Sequence, residues 1–368
     1  MIYPLLPGFL VGVLGAGAFS LGVIEGVAES TAALLKVFSG LWSDRARRRR
    51  PLVLAGYGLS GTARPLIGLA TGWLFVLAMR FADRVGKGLR TSPRDALIAD
   101  VTHPADRGRA YGWHRAMDHA GAVTGPLVAA GLMTFAGLSL RHVFLASAAP
   151  ALLVMIVLAR HVREPAGPGQ APAMPPVLSA GWRELGPGYR RLLMAVFLFT
   201  LGNSTDAFLI LRLVETGVGT STVAVLWSLH HVVKMVSTWQ GGRLADRSGS
   251  RALVASGWAF YAAVYMVFGL ARSRSLLVGA FIAYGLYFGL TEPAEKRWVA
   301  NLVPERLRGT AFGYYHGAVG LAALPASLGF GTVWYFLGAA PAFAMGALLA
   351  VSAAALLHRV PDQKDLPG

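Results

Sequence analysis

Long apolar runs alternate with short polar knots along almost the whole chain. A hydrocarbon core of about 30 Å is crossed by roughly 20 mostly apolar helical residues. Runs of that order lie at 1–16, 20–41, 51–70, 73–99, 108–136, 141–161, 189–211, 219–240, 252–271, 275–300, 309–336 and 339–358. Turn-forming pairs such as Thr71-Gly72 and Ala340-Pro341 separate them. The pattern predicts an all-α polytopic membrane protein with twelve transmembrane helices. Between the sixth and seventh runs, "REPAGPGQAPAMPPVLSAGWRELGPG" (163–188) is too rich in proline for a helix. It is predicted as a cytoplasmic linker, dividing the chain into an N-terminal six-helix bundle (1–162) and a C-terminal bundle with a short cytoplasmic tail (189–368).

Composition supports this reading and restricts function. Only 14% of the 368 residues are charged, while 55% are hydrophobic; soluble domains carry about 25% charged residues. The net charge of +16 then has to be read by position. Alternate connections hold Arg45 to Arg50, Arg107 with Arg109, Arg160 to Arg191, Arg243 to Arg251, and Arg306 with Arg308. The intervening ones hold Arg141, Arg272 and Arg274. The positive-inside rule places the first set, and with it the C-terminus, in the cytoplasm. Basic residues at helix ends and within helices do not form a nucleic-acid footprint. The absence of cysteine removes disulfides and thiolate metal sites. No nucleophile–base pair, metal-ligand cluster or phosphate-cradling loop stands out, so neither an enzyme nor a cofactor or metal is expected. The Ala/Gly/Arg-rich composition points to a bacterial inner membrane.

The two halves repeat. Asp44-Arg45 recurs as Asp246-Arg247 at an offset of 202, "TSPRD" (91–95) as "TEPAE" (291–295) at 200, and Arg107-Gly108 as Arg308-Gly309 at 201. With an even number of helices per half, such copies run parallel about an axis normal to the membrane. The knots "GLWSDRARRRR" (40–50) and "GGRLADRSGSR" (241–251) are expected as tight cytoplasmic turns. The same offset sets Met1 against Asn203, midway along the seventh run. The first helix is therefore expected to be truncated, with a native start further upstream or an impaired form.

The repeated knots resemble the cytoplasmic loop motif G-x-L-x-D-R-x-G-R-R of the major facilitator superfamily of secondary transporters. The second copy supplies Gly242, Leu244, Asp246, Arg247, Gly249 and Arg251; the first supplies Gly40, Asp44, Arg45, Arg48 and Arg49, with Trp42 in place of leucine and Arg47 in place of the second glycine. Gly112, Gly121, Gly125 and Pro126 are similar to the antiporter-associated pattern G-x8-G-x3-G-P, although its closing glycine pair is Ala129-Ala130 here. Arg80 looks like the family's buried arginine. The resemblance implies alternating access, with Gly40, Asp44, Arg45, Gly242, Asp246 and Arg247 as the conformational switch. It also implies drug/proton-antiporter-like efflux, with a proton-coupled importer as the alternative. A lipid flippase, a membrane enzyme and a non-transporting sensor are further alternatives.

Ionisable residues at membrane depth are costly and usually face a cavity or the bundle interior. Arg80, Asp83, Arg84 and Lys87 share one helical stripe; Arg115, Asp118 and His119 share another. With Lys234, His230 and Tyr284 they are candidates to line a substrate cavity. Glu25 and Glu29 lie one turn apart and cannot both ionise cheaply in a dry setting. Together with Asp118 and Asp206 they are candidate proton carriers. The expected partners are a small organic, anionic or zwitterionic substrate, protons and the lipid bilayer, with no nucleic acid, and the chain is expected to be monomeric.

Overall fold

The computed structural model describes residues 6, 9–10, 13–15, 18–46, 48–162, 164, 182, 184–218 and 220–361. Its principal helices are α1 (Ala18–Ala46), α2 (Arg50–Leu66), α3 (Trp73–Val101), α4 (Arg107–Phe135), α5 (Leu140–Ala146), α6 (Ala148–His161) and α7 (Gly186–Gly202). They continue as α8 (Ala207–Glu215), α9 (Thr220–Ser248), α10 (Ser250–Leu270), α11 (Arg274–Asn301), α12 (Arg308–Leu337) and α13 (Ala339–Leu356). No strand occurs among the described residues. The predicted segments from 20–41 onward are largely helical among the described residues. The first segment and the linker fall largely outside the described residues, and so does the expectation of a truncated start.

Among the described residues, six stretches are long and apolar enough to cross a membrane: Leu140–His161, Gly186–Glu215, Ser250–Leu270, Arg274–Asn301, Glu305–Leu337 and Ala339–Arg359. Helix α3 is long enough but carries Arg80, Asp83, Arg84 and Arg90 as buried residues, which lowers its hydropathy.

Three local departures from the predicted pattern have physical causes. The run 189–211 is not one helix: α7 stops at Gly202, and α8 restarts at Ala207. Asn203, Ser204, Thr205 and Asp206 intervene, residue types whose side chains compete with the helical backbone. Ser204 shares a hydrogen bond with the Tyr265 hydroxyl, and Thr205 Oγ1 accepts from the Ala207 amide. The run 141–161 is interrupted at Ser147, whose hydroxyl donates to the Phe144 carbonyl at 2.6 Å. Pro150 follows and has no amide to carry the helical ladder back across that point. Finally, the knots are mostly helix rather than turn. α1 runs to Ala46 and α9 to Ser248, so Asp44 and Asp246 stand on the last turns of helices. The reversal after α9 is made by Gly249 at φ 87°, a conformation that side chains with a Cβ rarely adopt.

The chain packs into two compact units. The first comprises Met1–Val101, Gly121–Leu178 and Arg306–Gly317; the second comprises Thr102–Ala120, Ser179–Glu305 and Ala318–Gly368. Helix α4 thus gives its first half to the second unit, and α12 gives its first turns to the first. In the first unit α3 packs against α1 and α2, and Leu6, Phe9, Leu10, Ile24, Ile67 and Phe144 form a buried apolar cluster. In the second, α11 packs against α9 and α10, and α13 against α10 and α7. Its centre is aromatic: Phe199 stacks on Trp258 with centroids 4.5 Å apart, and Tyr261 stacks on Tyr265 at 4.1 Å. Pairs of this kind contribute about 0.5–1.5 kcal/mol each beyond area burial, and they fix the frame on which the second unit's polar side chains are mounted.

Candidate functional site

Two carboxylates, one in each unit, cap the start of a helix. In the first unit Asp44 accepts hydrogen bonds from the amides of Gly309 (2.9 Å) and Thr310, in the first turn of α12. In the second unit Asp246 accepts from the amides of Gly108 and Arg109, both at 2.8 Å, in the first turn of α4. The first amides of a helix lack intrahelical partners and carry the positive end of its dipole, so an anionic acceptor there is doubly favoured. Each carboxylate also meets a guanidinium: Arg49 lies 3.0 Å from Asp44, and Arg297 lies 3.0 Å from Asp246. Next to the first cap, Asp100 bridges Arg49 and Arg308. At the equivalent place beside the second, Asn301 accepts from Arg107.

These caps form because glycines let the helices touch. A Cβ on Gly309 would lie 2.7 Å from the Gly40 carbonyl oxygen, and one on Gly108 would lie 2.5 Å from that of Gly242. Gly112 is as tight, 2.5 Å from the Thr238 carbonyl oxygen. Gly121 of the antiporter-like pattern faces open space, so that part of the pattern does not serve close packing here. Helix α4 continues unbroken through Pro126. Arg45 and Arg247 are exposed.

Asp44 lies beyond the apolar stretch of its helix. Burial pushes its carboxyl up to about 6, against the pull of Arg49 and of the Thr310 and Gly309 amides. Burial raises Asp246 as well, opposed by the Arg109 and Gly108 amides and by Arg297. Asp44 is therefore mostly ionised at neutral pH and takes up a proton on mild acidification.

The glycine contacts yield a direct test. Gly242→Val should hold α9 away from the start of α4. Ala245, buried against Gly108, becomes a reporter as Ala245→Cys in a chain without other cysteines. A thiol-reactive maleimide should label it in the Gly242→Val background and not in the parent. Equal labelling in both would show that the glycine contact does not control access.

A second cluster lies inside the second unit. Lys234 on α9 reaches Asp206 at 3.3 Å, and the Tyr284 hydroxyl donates to the same carboxylate at 3.3 Å. The Lys234 ammonium also sits 3.6 Å above the Phe288 ring. His230 stacks on Tyr284, with centroids 5.5 Å apart. His231 lies beside His119, with centroids at 5.6 Å, and His119 Nε2 is 3.8 Å from Glu292. Arg115 closes the series on Glu292 at 2.9 Å. Acid–base pairs thus bracket two imidazoles. The interruption after α7 places Asp206 at this cluster, a position that an unbroken helix would have set differently.

Of the sequence candidates, Asp206, Lys234, His230, Tyr284 and Arg115 come together here. Asp118 is exposed, 3.4 Å from Arg115. His119, from the same stripe as Arg115, and Glu292, from the repeated "TEPAE", join them, and His231 completes the cluster with no local motif that singles it out. Arg80, Asp83 and Arg84 belong to the first unit, where they line a pocket with α2 and α6 residues; Lys87 is half-buried on the same helix. Glu25 and Glu29 lie on α1, but their side chains are outside the described residues. Among the described residues, no group of three or more His, Asp or Glu side chains is placed to hold a metal ion.

Described residues that are predominantly helical, with apolar spans, a sequence written twice and paired helix-end carboxylates, fit a multi-pass membrane transporter rather than an enzyme. It belongs to the Major Facilitator Superfamily, whose profile matches residues 1–327. It is 30% identical over 363 residues to an uncharacterised MFS-type transporter of Methanocaldococcus jannaschii, covering 97% of this chain and 89% of that one. A 136-residue match to the multidrug resistance protein MdtH of Photorhabdus laumondii is 31% identical and covers 37% of this chain and 33% of the relative. The crystal structure of the human organic anion transporter TETRAN is similar in fold, with a TM-score of 0.70 and 21% identity over 95% of this chain and 88% of that one.

Proposed function

We propose that the chain is a proton-coupled exporter of small organic compounds that carry an anionic or zwitterionic group. The observation that carries this reading is the bracketed cluster of the second unit, where Arg115 and Lys234 present positive charge beside His119, His231, Asp206 and Glu292. Guanidinium and ammonium groups recognise carboxylates and phosphates, and the neighbouring imidazoles and carboxylates are groups able to exchange protons. The names of two similar proteins, one an organic anion transporter and one a multidrug resistance protein, fit that substrate class and direction. Asp44 and Asp246 act as conformational latches, and their release and re-formation accompany each transport cycle. Glu25 and Glu29 belong to the proton path. The functional halves are the bundles at 1–162 and 189–368, in a monomer seated in a bacterial inner membrane with its C-terminus in the cytoplasm.

The test is flux in proteoliposomes under an imposed pH gradient, screened over small anions and zwitterions. Substrate movement against its own gradient, driven by proton movement the other way, is the expected result. Movement in the same direction as protons would instead establish an importer, and covalent turnover of a lipid would overturn transport altogether. Lys234→Gln should raise the KM for an anionic substrate roughly tenfold, as expected for loss of one charge-assisted contact. An unchanged KM would remove Lys234 from substrate recognition.

A further inference from the structure

A furrow of about 750 Å³ runs along the seam between α9 and α11, inside the second unit and lined by residues outside the substrate cluster. The two helices close up at glycines. A Cβ on Gly241 would run into the Gly289 carbonyl, and one on Gly289 into the Ser237 carbonyl. Toward the middle of α9 the wall is apolar, from Val232, Val233 and Val236, with Leu286 and Leu290 of α11 across from them. Ser237 adds little polarity, because its hydroxyl donates to the Gly285 carbonyl at 3.0 Å. The last turns of α9 bring Arg243 and Arg247 to the other end of the furrow.

These arginines stand one helical turn apart and are both exposed. None of the ion pairs among the described residues involves either of them; Arg243 lies over the Trp239 ring at 4.7 Å. The carboxylates beside them are engaged elsewhere, Asp106 with Arg109 at 3.2 Å and Asp246 with two amides and Arg297. From Arg243 back to Val232 is eleven residues, or about 16 Å along the helix axis. That is close to half of a hydrocarbon core of about 30 Å. Trp239 lies one turn inward of Arg243 and is partly exposed, at the depth where indoles collect at a membrane boundary. Val236 and Leu286 are exposed as well. The furrow thus has the length of one leaflet, cationic at headgroup depth and apolar beneath. Basic pockets between helices at such a level recognise anionic headgroups, and guanidinium groups match phosphate oxygens. A soluble anion would leave the apolar length unfilled, and a zwitterionic lipid would leave the paired charge unanswered.

We propose that this furrow holds an anionic membrane phospholipid, its phosphate on Arg243 and Arg247 and one acyl chain laid along Val236 and Leu286. The site involves neither the substrate nor the coupling ion, so it stands or falls independently of the transport reading.

Photo-crosslinking of the full chain tests this in phosphatidylcholine proteoliposomes. The probe is phosphatidylglycerol with a diazirine in one acyl chain, compared with the matching phosphatidylcholine probe. Adducts are mapped by mass spectrometry and normalised to those at Leu348 and Val351, exposed residues of α13. Phosphatidylglycerol should label residues 232–236 and 286–290 about tenfold more than phosphatidylcholine does. Arg243→Gln/Arg247→Gln should bring the two probes level. Leu286→Trp fills the furrow and keeps both arginines, so it should lose the adducts even if the arginine double variant does not fold. Equal labelling by the two probes in the parent would overturn the proposal. So would a preference that survives the arginine double variant or Leu286→Trp. Loss of the parent's adducts on adding excess glycerol phosphate, which carries the charge without the chains, would assign the arginines to a free anion and equally overturn it.

Discussion

Asp44→Asn combined with Asp246→Asn should slow transport about 100-fold while leaving equilibrium substrate affinity within about threefold. Each carboxylate accepts two amides at a helix start and one guanidinium. Hydrogen bonds to a charged group contribute about 1.5–3 kcal/mol, and asparagine keeps one acceptor oxygen but sets an NH2 donor against the other helix-start amide. Losing that much from one conformation shifts a two-state equilibrium by roughly 10- to 100-fold per site. Neither residue belongs to the proposed substrate cluster, which is why affinity should hold. The pH dependence carries its own sign. The Asp44 pKa is raised from 3.8 to about 6 when capped, so the capped state binds a proton that a hydrated Asp44 would release. Protonation therefore favours the capped state below about pH 4, and this contribution fades as pH rises through 6. Acidification from pH 7 to 5 should enrich the capped form in the parent and not in Asp44→Asn. Stopped-flow flux and equilibrium binding on one preparation measure both parts. A large affinity loss with normal turnover would assign these residues another role.

Glu25→Gln combined with Glu29→Gln should abolish uphill transport completely while sparing downhill exchange. Glu25 and Glu29 occupy successive turns of α1, and two carboxylates one helical turn apart disfavour double ionisation wherever the dielectric is low. A pair that trades a proton is suited to couple flux to a gradient; a pair that only holds helices together is not. The distinguishing measurement compares pH-driven accumulation with substrate counterflow at zero gradient. Accumulation by the double variant at the parent rate would remove the pair from coupling, and loss of counterflow as well would point to a structural or substrate-binding role.

Much of the helix-end architecture was legible because it is written twice. The offset shared by Asp44 and Asp246 recurs for Arg107-Gly108 and Arg308-Gly309, and these are the stretches that meet in the caps. Repetition exposes both partners without showing that they touch. What the sequence could not show is which guanidinium each cap recruits, since Arg49 comes from the connection after α1 and Arg297 from near the end of α11. The second-unit cluster was half visible. Lys234 and Asp206 stand out as charges in apolar runs, but joining His119 to Glu292 and His231 requires the packing of three helices. Apolar periodicity also missed the interruption after α7. The residues responsible, Asn203 to Asp206, lie within a run that otherwise reads as continuous. The arginine stripe of α3 was plain in the sequence. Its pocket depends on α2 and α6, and helical spacing along one element says nothing of its neighbours.

The groove beside the second cap is lined by Trp113, Trp239, Arg109 and Arg243, with the Arg243 guanidinium 4.7 Å above the Trp239 ring. Indole emission depends on the polarity around the ring, and a cation on its face shifts it. Release of the α4 start by Asp246, as proposed, would change both the solvent around Trp113 and the charge over Trp239. The protein would then carry an intrinsic optical signal at that contact. In a chain with nine tryptophans, the difference between the parent and a Trp113→Phe/Trp239→Phe variant would isolate that signal. The opening of a single helix end could then be followed in real time, without any attached dye.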